Sequence, residues 1–358
     1  MIDFESVTGW EIPDGIAVKV EDEAGNVLWV MPSAGGPVVL EVEKITSDTY
    51  AGETTYTGEQ FILLNIYPKT NGTVSITYGG LTKTIVDTSG AEEPNAQQVW
   101  FGTFNGVTDE VETPTSGRLT IEGDYNGFGS AYFSTDKLGR SKSDCIVRIV
   151  SFGEITIIPD NAFTGGNNTG LQKLVITSLS IPDGVVYIGD SAFALCQTLQ
   201  EVTIPASVIS IGNYNPWRGC SETNILSIDD GNAAFKIDGN CLIEISTNIL
   251  VSGFADSTIP SYVTKIQAHS FANLETLESI TIPASVDNID NYVFTDCTNL
   301  KTIYMLSTRP PDFCGIDFNP PSLEKIIVPK GSIARYTSTD EDQNSMKEYI
   351  KYFVEASE

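Results

Sequence analysis

His269 stands beside Ser270, a pairing that could place a base next to a nucleophile. It is the single histidine of the chain, which excludes zinc centres built on several imidazoles and most histidine-dependent acid–base catalysis. The equivalent segments elsewhere carry Asp190-Ser191, Tyr214-Asn215 and Asn291-Tyr292, so a turn residue is favoured over a catalytic base. There is no G-x-S-x-G elbow, P-loop or strand-linked G-x-G-x-x-G, and Gly127-Phe128-Gly129 is too short a match and reads as a turn. Asp229-Asp-Gly-Asn232 and Thr339-Asp-Glu-Asp342 could offer oxygens to calcium. Neither has the spaced loop closed by a bidentate glutamate, so solvated turns are favoured. Trp100, Phe101, Phe104, Tyr125, Phe128, Tyr132 and Phe133 could form a sugar-stacking platform, although aromatics alternating in strands usually face a core. No catalytic residue, metal ligand or cofactor site is assigned.

The elements that hold these residues are set by composition and periodicity. The chain has 358 residues, 20 Lys plus Arg against 47 Asp plus Glu, and a formal net charge of -27. Such a surface repels phosphate backbones and anionic lipid, so nucleic acid is not a partner. No run approaches the ~20 apolar residues that span a bilayer, so no membrane insertion is expected. Met1-Ile2-Asp3-Phe4-Glu5 lacks the basic and apolar regions of a signal peptide. Cys145, Cys196, Cys220, Cys241, Cys297 and Cys314 include no C-x-x-C pair and read as buried thiols behaving as small apolar residues.

Internal repetition is the strongest pattern. One element reads Leu171-Gln-Lys-Leu174-Val-Ile176, Leu199-Gln-Glu-Val202-Thr-Ile204-Pro205, Leu277-Glu-Ser-Ile280-Thr-Ile282-Pro283, Leu300-Lys-Thr-Ile303-Tyr-Met305 and Leu323-Glu-Lys-Ile326-Ile-Val328-Pro329. The other is a polar turn closed by an aromatic: Ile158 to Phe163, Ile188 to Phe193, Ile211 to Trp217, Ile266 to Phe271 and Ile289 to Phe294. Ile176 to Ile204 is 28 residues, Ile282 to Met305 and Met305 to Val328 are 23 each, and Phe193 to Trp217 is 24, a period of 23–28. A gap of 54 between Trp217 and Phe271 fits two longer coils, with Phe235 marking a degenerate copy. That period is one coil of a solenoid, whose leucine elements form parallel rungs with alternate residues inward. Cys196, Cys220 and Cys297 each follow the aromatic by three residues, where thiol is expected to stack on thiol.

Ile188-Gly-Asp-Ser-Ala-Phe193-(x)2-Cys196, followed by Leu199-x-x-Val-x-Ile-Pro-x-Ser-Val208, resembles the BspA-type leucine-rich repeat over about residues 145–336. The resemblance implies a mostly β solenoid of surface-exposed bacterial proteins used for adhesion or partner binding, a repeat also found in phage-encoded proteins. Trp10-Glu-Ile-Pro-Asp-Gly15 with Val18 to Trp29 more weakly resembles the opening of phage tail-region proteins from gut bacteria.

The flanks complete a mainly β reading. Residues 1–90 are expected to form an immunoglobulin-like β-sandwich, from strands at 16–20, 27–30, 38–42, 60–66, 73–78 and 83–86. Residues 91–144 form a β transition or capping module, residues 145–336 the solenoid, and residues 337–358 a cap helix. In that helix Met346, Tyr349, Ile350 and Phe353 share one face.

The favoured function is non-enzymatic surface recognition or adhesion on a bacterial envelope or phage particle, with the solenoid as binding or display face. Its ladder positions Gln200, Glu201, Thr203, Glu278, Thr281, Lys301, Thr302 and Tyr304 are the candidate ligand contacts. The expected partner is a host-surface protein or glycan, or virion neighbours with possible homo-oligomers. The alternatives are an architectural virion protein and a glycan-active enzyme, for which a pair among the many carboxylates would suffice.

Overall fold

The computed structural model describes residues 18–21, 27–31, 33–34, 38–44, 60–89, 96–104, 107–108, 117–134, 145–163, 178–196, 199, 201–220, 225–313, 320–338 and 347–357. Strands β1 (Val18–Glu21) and β2 (Val27–Met31) pair antiparallel. There follow β3 (Ser33–Ala34), β4 (Val38–Lys44), β5 (Gln60–Pro68), β6 (Thr73–Tyr78) and β7 (Leu81–Val86). Next come β8 (Gln97–Phe104), β9 (Val107–Thr108), β10 (Gly117–Gly123), β11 (Tyr125–Ser134) and β12 (Cys145–Gly153). From β3 onward they form two sheets, in the orders β3-β12-β4-β10-β6-β7 and β11-β5-β8-β9. Alternation supplies the shared core: Ile62, Leu64 and Ile66 of β5 pack with Val74, Ile76 and Tyr78 of β6 and Leu119 and Ile121 of β10. Tyr78 meets Phe101 of β8 edge to face across the sheets, with centroids 5.6 Å apart.

This pairing departs from the expected division at residue 90. Strand β4 lies between β10 and β12, and β5 lies between β8 and β11, so strands of 91–153 complete the sheets begun by 38–86. Period-2 patterns identify strands but not their neighbours. A strand buried on one face pairs wherever its register completes that face. Gly127-Phe128-Gly129 is likewise not a turn but the middle of β11. A β-carbon on Gly127 would lie 2.5 Å from the carbonyl oxygen of Ile157, so this strand presses directly on the first coil. The Thr156 N–H donates to the Asn126 carbonyl at 2.8 Å, and Phe128 and Phe152 pack edgewise on Phe163. The sandwich thereby closes the N-terminal end of the solenoid.

Each coil contributes two short strands. On the aromatic-turn side run β13 (Ile157–Ile158), β15 (Tyr187–Ile188) and β17 (Ser210–Ile211); on the leucine side run β14 (Ser178–Ser180), β16 (Glu201–Ile204) and β18 (Ile225–Ile228). All of these ladders are parallel. The register places Leu179 beside Val202, and the Ile181 N–H donates to the Thr203 carbonyl. The first described rung is therefore Leu179-Ser-Ile181-Pro182, and the Leu171–Ile176 element lies outside the described residues.

The aromatic turn has a backbone explanation. Ser191 and Leu195 flank Phe193 at φ 54° and 62°, His269 and Asn273 flank Phe271 at 59° and 63°, and Tyr292 and Asp296 flank Phe294 at 60° and 57°. Two left-handed residues on either side of the ring fold the chain so that it points inward. Asn215 precedes Pro216, which disfavours helical geometry there. Its Oδ1 instead accepts the Trp217 N–H at 3.0 Å. Inside, Phe163 stacks on Phe193 at 5.3 Å and Phe271 on Phe294 at 5.7 Å.

Between Trp217 and Phe271 the chain does not make two longer coils. It forms an antiparallel meander of β19 (Phe235–Asp238), β20 (Cys241–Glu244) and β21 (Ile249–Gly253), which joins β22 (Lys265–Ile266) in parallel. Leu242 and Val251 enter one core, with Phe193, Trp217, Phe235 and the sandwich residues. Cys241, Ile243 and Leu250 enter the other, with Phe271 and Phe294. The meander is a wall buried on both faces, so the interior is two cores and not one.

Beyond the wall, β24 (Asn288–Ile289) and β26 (Asp312–Phe313) extend the turn side from β22. Strands β23 (Ser279–Ile282), β25 (Thr302–Met305) and β27 (Lys325–Val328) form the leucine side. A short helix α1 (Ile333–Tyr336) buries Tyr336, whose hydroxyl donates to the Ser307 and Arg309 carbonyls. Within the cap helix expected over 337–358, the described residues Lys347–Tyr352 are instead a 3-10 helix, running into β28 (Phe353–Glu355). Strand β28 pairs in parallel with β27, with Phe353 beside Ile326. The unsatisfied edge of β27 captures this segment as one more rung, a tertiary demand that helical spacing does not reveal. Among the described residues no helix is long and apolar enough to cross a membrane.

The fit of the wall is tight: a β-carbon on Gly253 would lie 2.2 Å from the Phe271 ring. Gly253→Ala is expected to lower stability by about 1–3 kcal/mol through overpacking. The measurement is the urea midpoint, and an unchanged midpoint would remove the wall from this account.

Candidate functional site

The outward face of the leucine ladder is built by the same alternation that fills the core. In β23, β25 and β27 the residues Ile280, Ile303 and Ile326 point inward, while Thr281, Tyr304 and Ile327 stand side by side in register on the outside, continued by Val354 of β28. Tyr304 is 39% exposed, Val354 43%, and Leu306, just beyond β25, 53%. Exposed Glu278, Lys301, Glu324 and Lys325 border this column. Successive rungs are tied by backbone bonds, such as Lys301 N–H to the Glu278 carbonyl and Glu324 N–H to the Lys301 carbonyl, both at 3.0 Å. The result is an apolar stripe with an aromatic ring and a charged border on a rigid sheet, an arrangement suited to contact and not to bond making.

The candidate contacts divide between two sheets. Glu201 and Thr203 lie on β16, whereas Glu278, Thr281, Lys301 and Tyr304 lie on or next to β23 and β25, beyond the meander. Thr203 shares a 2.9 Å hydroxyl contact with Ser227 on the next rung. Gln200 is outside the described residues. Thr302 is a correction: at 9% exposure it is buried, because a short side chain inside a stack of rungs is covered where a longer one protrudes. The reading missed Leu306, Ile327 and Val354. Ile327 was legible as the outward neighbour of Tyr304, but Val354 joins the column only because its segment is a strand.

The other chemical candidates have structural partners. His269 occupies a left-handed turn position, and Ser270 is fully buried, its hydroxyl donating to the Leu250 carbonyl at 3.2 Å. Asp229 accepts the Gly231 N–H at 2.7 Å. Asn232 is also committed: its amide donates to Pro205 and Val208 carbonyls and its oxygen accepts the Ala234 and Phe235 N–H groups. Among the described residues no group of three or more His, Cys, Asp or Glu could hold a metal ion, and Thr339–Asp342 lies outside them. Of the aromatic cluster, Phe101, Tyr125 and Phe128 are core. Trp100 is half-buried under the Lys83 ammonium, 4.9 Å from its ring. Nothing is described of the Phe104, Tyr132 and Phe133 side chains.

Cys220 lies close enough to Cys196, one coil earlier, for the two groups to interact, and the thiols are also tied to carbonyls. Cys196 donates to the Phe163 carbonyl, Cys220 to that of Phe193 and Cys297 to that of Phe271, at 3.0, 3.1 and 2.9 Å. Each bond links a coil to the aromatic of the coil before it in the stack. Burial pushes the Cys241 and Cys297 thiols up to about 12, and raises Cys220 likewise. Groups held protonated in this way are poor nucleophiles. Native protein at pH 8 is therefore expected to leave Cys196, Cys220, Cys241 and Cys297 unlabelled by a maleimide that labels all four after denaturation. Peptide mass spectrometry reads this, and rapid native labelling of any of them would contradict their placement.

Carboxylates make a second coil-to-coil column. Asp160 Oδ1 accepts the Asp190 N–H at 2.8 Å and the Tyr187 hydroxyl at 3.1 Å, and Asp190 Oδ1 accepts the Tyr214 N–H at 3.0 Å. Burial, then the Asp160 charge, raises the Tyr187 phenol above its ordinary range. Asp160→Ala is expected to cost about 1–2 kcal/mol, because the Asp190 N–H loses its acceptor. Thermal unfolding measures it, and an unaltered midpoint would show the column to be ornamental.

The chain belongs to the BspA type leucine-rich repeat family, whose region model matches residues 156–301 and 251–334 in 6 copies. No curated protein matches the chain at a significant level. Among solved structures, it is similar to a leucine-rich repeat protein from Eubacterium ventriosum, with 18% identity over 50% of this chain and 59% of that one (TM-score 0.35). A leucine rich cell surface protein from Faecalibacterium prausnitzii matches with 20% identity over 51% and 60% of the two chains (TM-score 0.31). The pneumococcal vaccine antigen PcpA matches with 14% identity over 64% and 84% (TM-score 0.28). The match spans about three fifths of the length of the first two structures.

Proposed function

We propose that this BspA-type leucine-rich repeat protein is a non-enzymatic recognition protein of the bacterial surface, with the C-terminal ladder as its docking face for a host-surface protein or glycan. The observation that carries the reading is the outward column Thr281, Tyr304, Ile327 and Val354, in register on four consecutive rungs. An exposed ring beside aliphatic side chains, rimmed by Lys301, Lys325 and Glu278, has the composition of a contact centre with a polar rim. The ladder holds these groups with little freedom left to lose on binding, which favours affinity from a small area. With a net charge of -27 general charge attraction to acidic partners is disfavoured, so selectivity for a glycoprotein such as mucin rests on stacking and apolar contact.

The test is surface-immobilised binding of the full chain to purified mucin and to fibronectin. Saturable binding is expected to at least one, weakened tenfold or more by Tyr304→Ala, the loss typical of a central aromatic anchor. Thr203→Ala, on the other sheet, is expected to leave affinity within twofold. Binding indifferent to Tyr304→Ala, or lost equally in both variants, would reject this face.

A further inference from the structure

The single histidine sits where the two halves of the solenoid meet. Along the aromatic turns, the Ser191 N–H bonds the Tyr214 carbonyl, the Asn215 N–H the Ala268 carbonyl, and the His269 N–H the Asn291 carbonyl. The middle step joins coils that are neighbours in space although 54 residues separate Asn215 from His269. Its seam is made by few groups. The Asn215 amide donates to the His269 and Ser270 carbonyls at 3.2 and 3.3 Å, and the Gln267 amide donates to the Gly212 carbonyl at 2.7 Å. Inside the seam stands the meander, which separates the two cores. The molecule therefore has a place at which it can loosen without dissolving either core.

His269 closes the outer side of that seam. Its ring lies between Tyr214, at 5.4 Å, and Tyr292, at 5.1 Å and nearly parallel. One tyrosine belongs to the N-terminal half and the other to the C-terminal half. Nδ1 is buried without a hydrogen-bond partner, as suits a neutral imidazole with its proton on Nε2. The charged groups around it are Arg218, whose Nε donates to Ser191 Oγ at 3.0 Å, and Asp296, which faces Arg218 and accepts from Asn273. Further out, Asp190 accepts the Tyr214 N–H and Asp290 is paired with Lys265 at 2.8 Å. These carboxylates are engaged elsewhere, and the charge acting on the imidazole is Arg218.

We propose that His269 is an acid-responsive latch: neutral, it bridges the two halves of the solenoid between Tyr214 and Tyr292, and protonated, it loosens the seam held by Asn215 and Gln267. Protonation would place an N–H without an acceptor at the buried Nδ1 of this half-buried ring and a cation within the field of the Arg218 guanidinium. Burial first, and Arg218 second, hold the imidazole down to about 4 from its usual 6.5. The closed seam thus binds fewer protons than the opened one. Its stability is full above about pH 6.5, declines as pH falls from there to about 4, and changes no further below.

Two measurements on the full chain test this. Because there is one histidine, its imidazole NMR resonances titrate alone; an apparent pKa below 5 is expected, and 6.5 or above overturns the proposal. Native-state hydrogen exchange, corrected for intrinsic rates, is then compared at pH 7.5 and 5.0. Peptides covering 211–220 and 265–273 are expected to lose protection about tenfold at pH 5.0, while 61–66 and 302–305 hold theirs. His269→Asn, which tolerates the left-handed backbone and does not titrate, is expected to abolish that selective loss. An equal loss in the variant, or one spread evenly over the chain, would refute the latch.

Discussion

A single coil of this protein cannot satisfy its own backbone or hide its own apolar face, and everything else in the structure answers that constraint. Rungs of two to four residues are too short to be stable by themselves, so each borrows hydrogen bonds from the coil before and the coil after. The side chains repeat the logic. Phe163 stacks on Phe193, Asp160 caps the Asp190 N–H, and Cys196 donates to the Phe163 carbonyl, so three separate columns cross this gap between coils. The left-handed residues on either side of Phe193, Phe271 and Phe294 are the local cost of turning the ring inward, and the stacking offsets it.

A stack of this kind exposes an edge at each end and must close it. The N-terminal end is closed by the sandwich, whose strand β11 packs on the first coil with glycine at the closest approach. At the C-terminal end β28 adds a last rung, with Phe353 and Tyr349 buried over the final coil. The meander does something different. It interrupts the interior with a two-sided wall, so packing is cooperative within each half and the halves meet through few polar bonds. The proposed docking face and the proposed latch are compatible, because the outward column at β23–β28 lies wholly on one side of that seam.

The same alternation explains why the proposed docking face is hard to read in advance. Inward positions are chemically alike from rung to rung, whereas outward ones carry no rule beyond exposure. Thr302 shows the limit: its place in the strand is legible, but its burial follows from the height of its neighbours. Val354 shows the converse, since it reaches the outer column only after its segment exchanges a helical pattern for a place in the ladder.

What the sequence determined by itself is the solenoid: recurring aliphatic pairs, aromatic turns and thiols at constant spacing specify a coil wherever each copy faces the same neighbours. The mainly β character and the burial of Cys196, Cys220, Cys241 and Cys297 were legible for the same reason, since both follow from period and composition. Only tertiary structure decided the rest. Which strands of 38–153 share a sheet, that 235–253 forms a wall, and that 353–355 is a strand all depend on partners distant along the chain. Local pattern constrains what a segment can be, but pairing energy is paid out between segments, and there the competition among alternatives is settled.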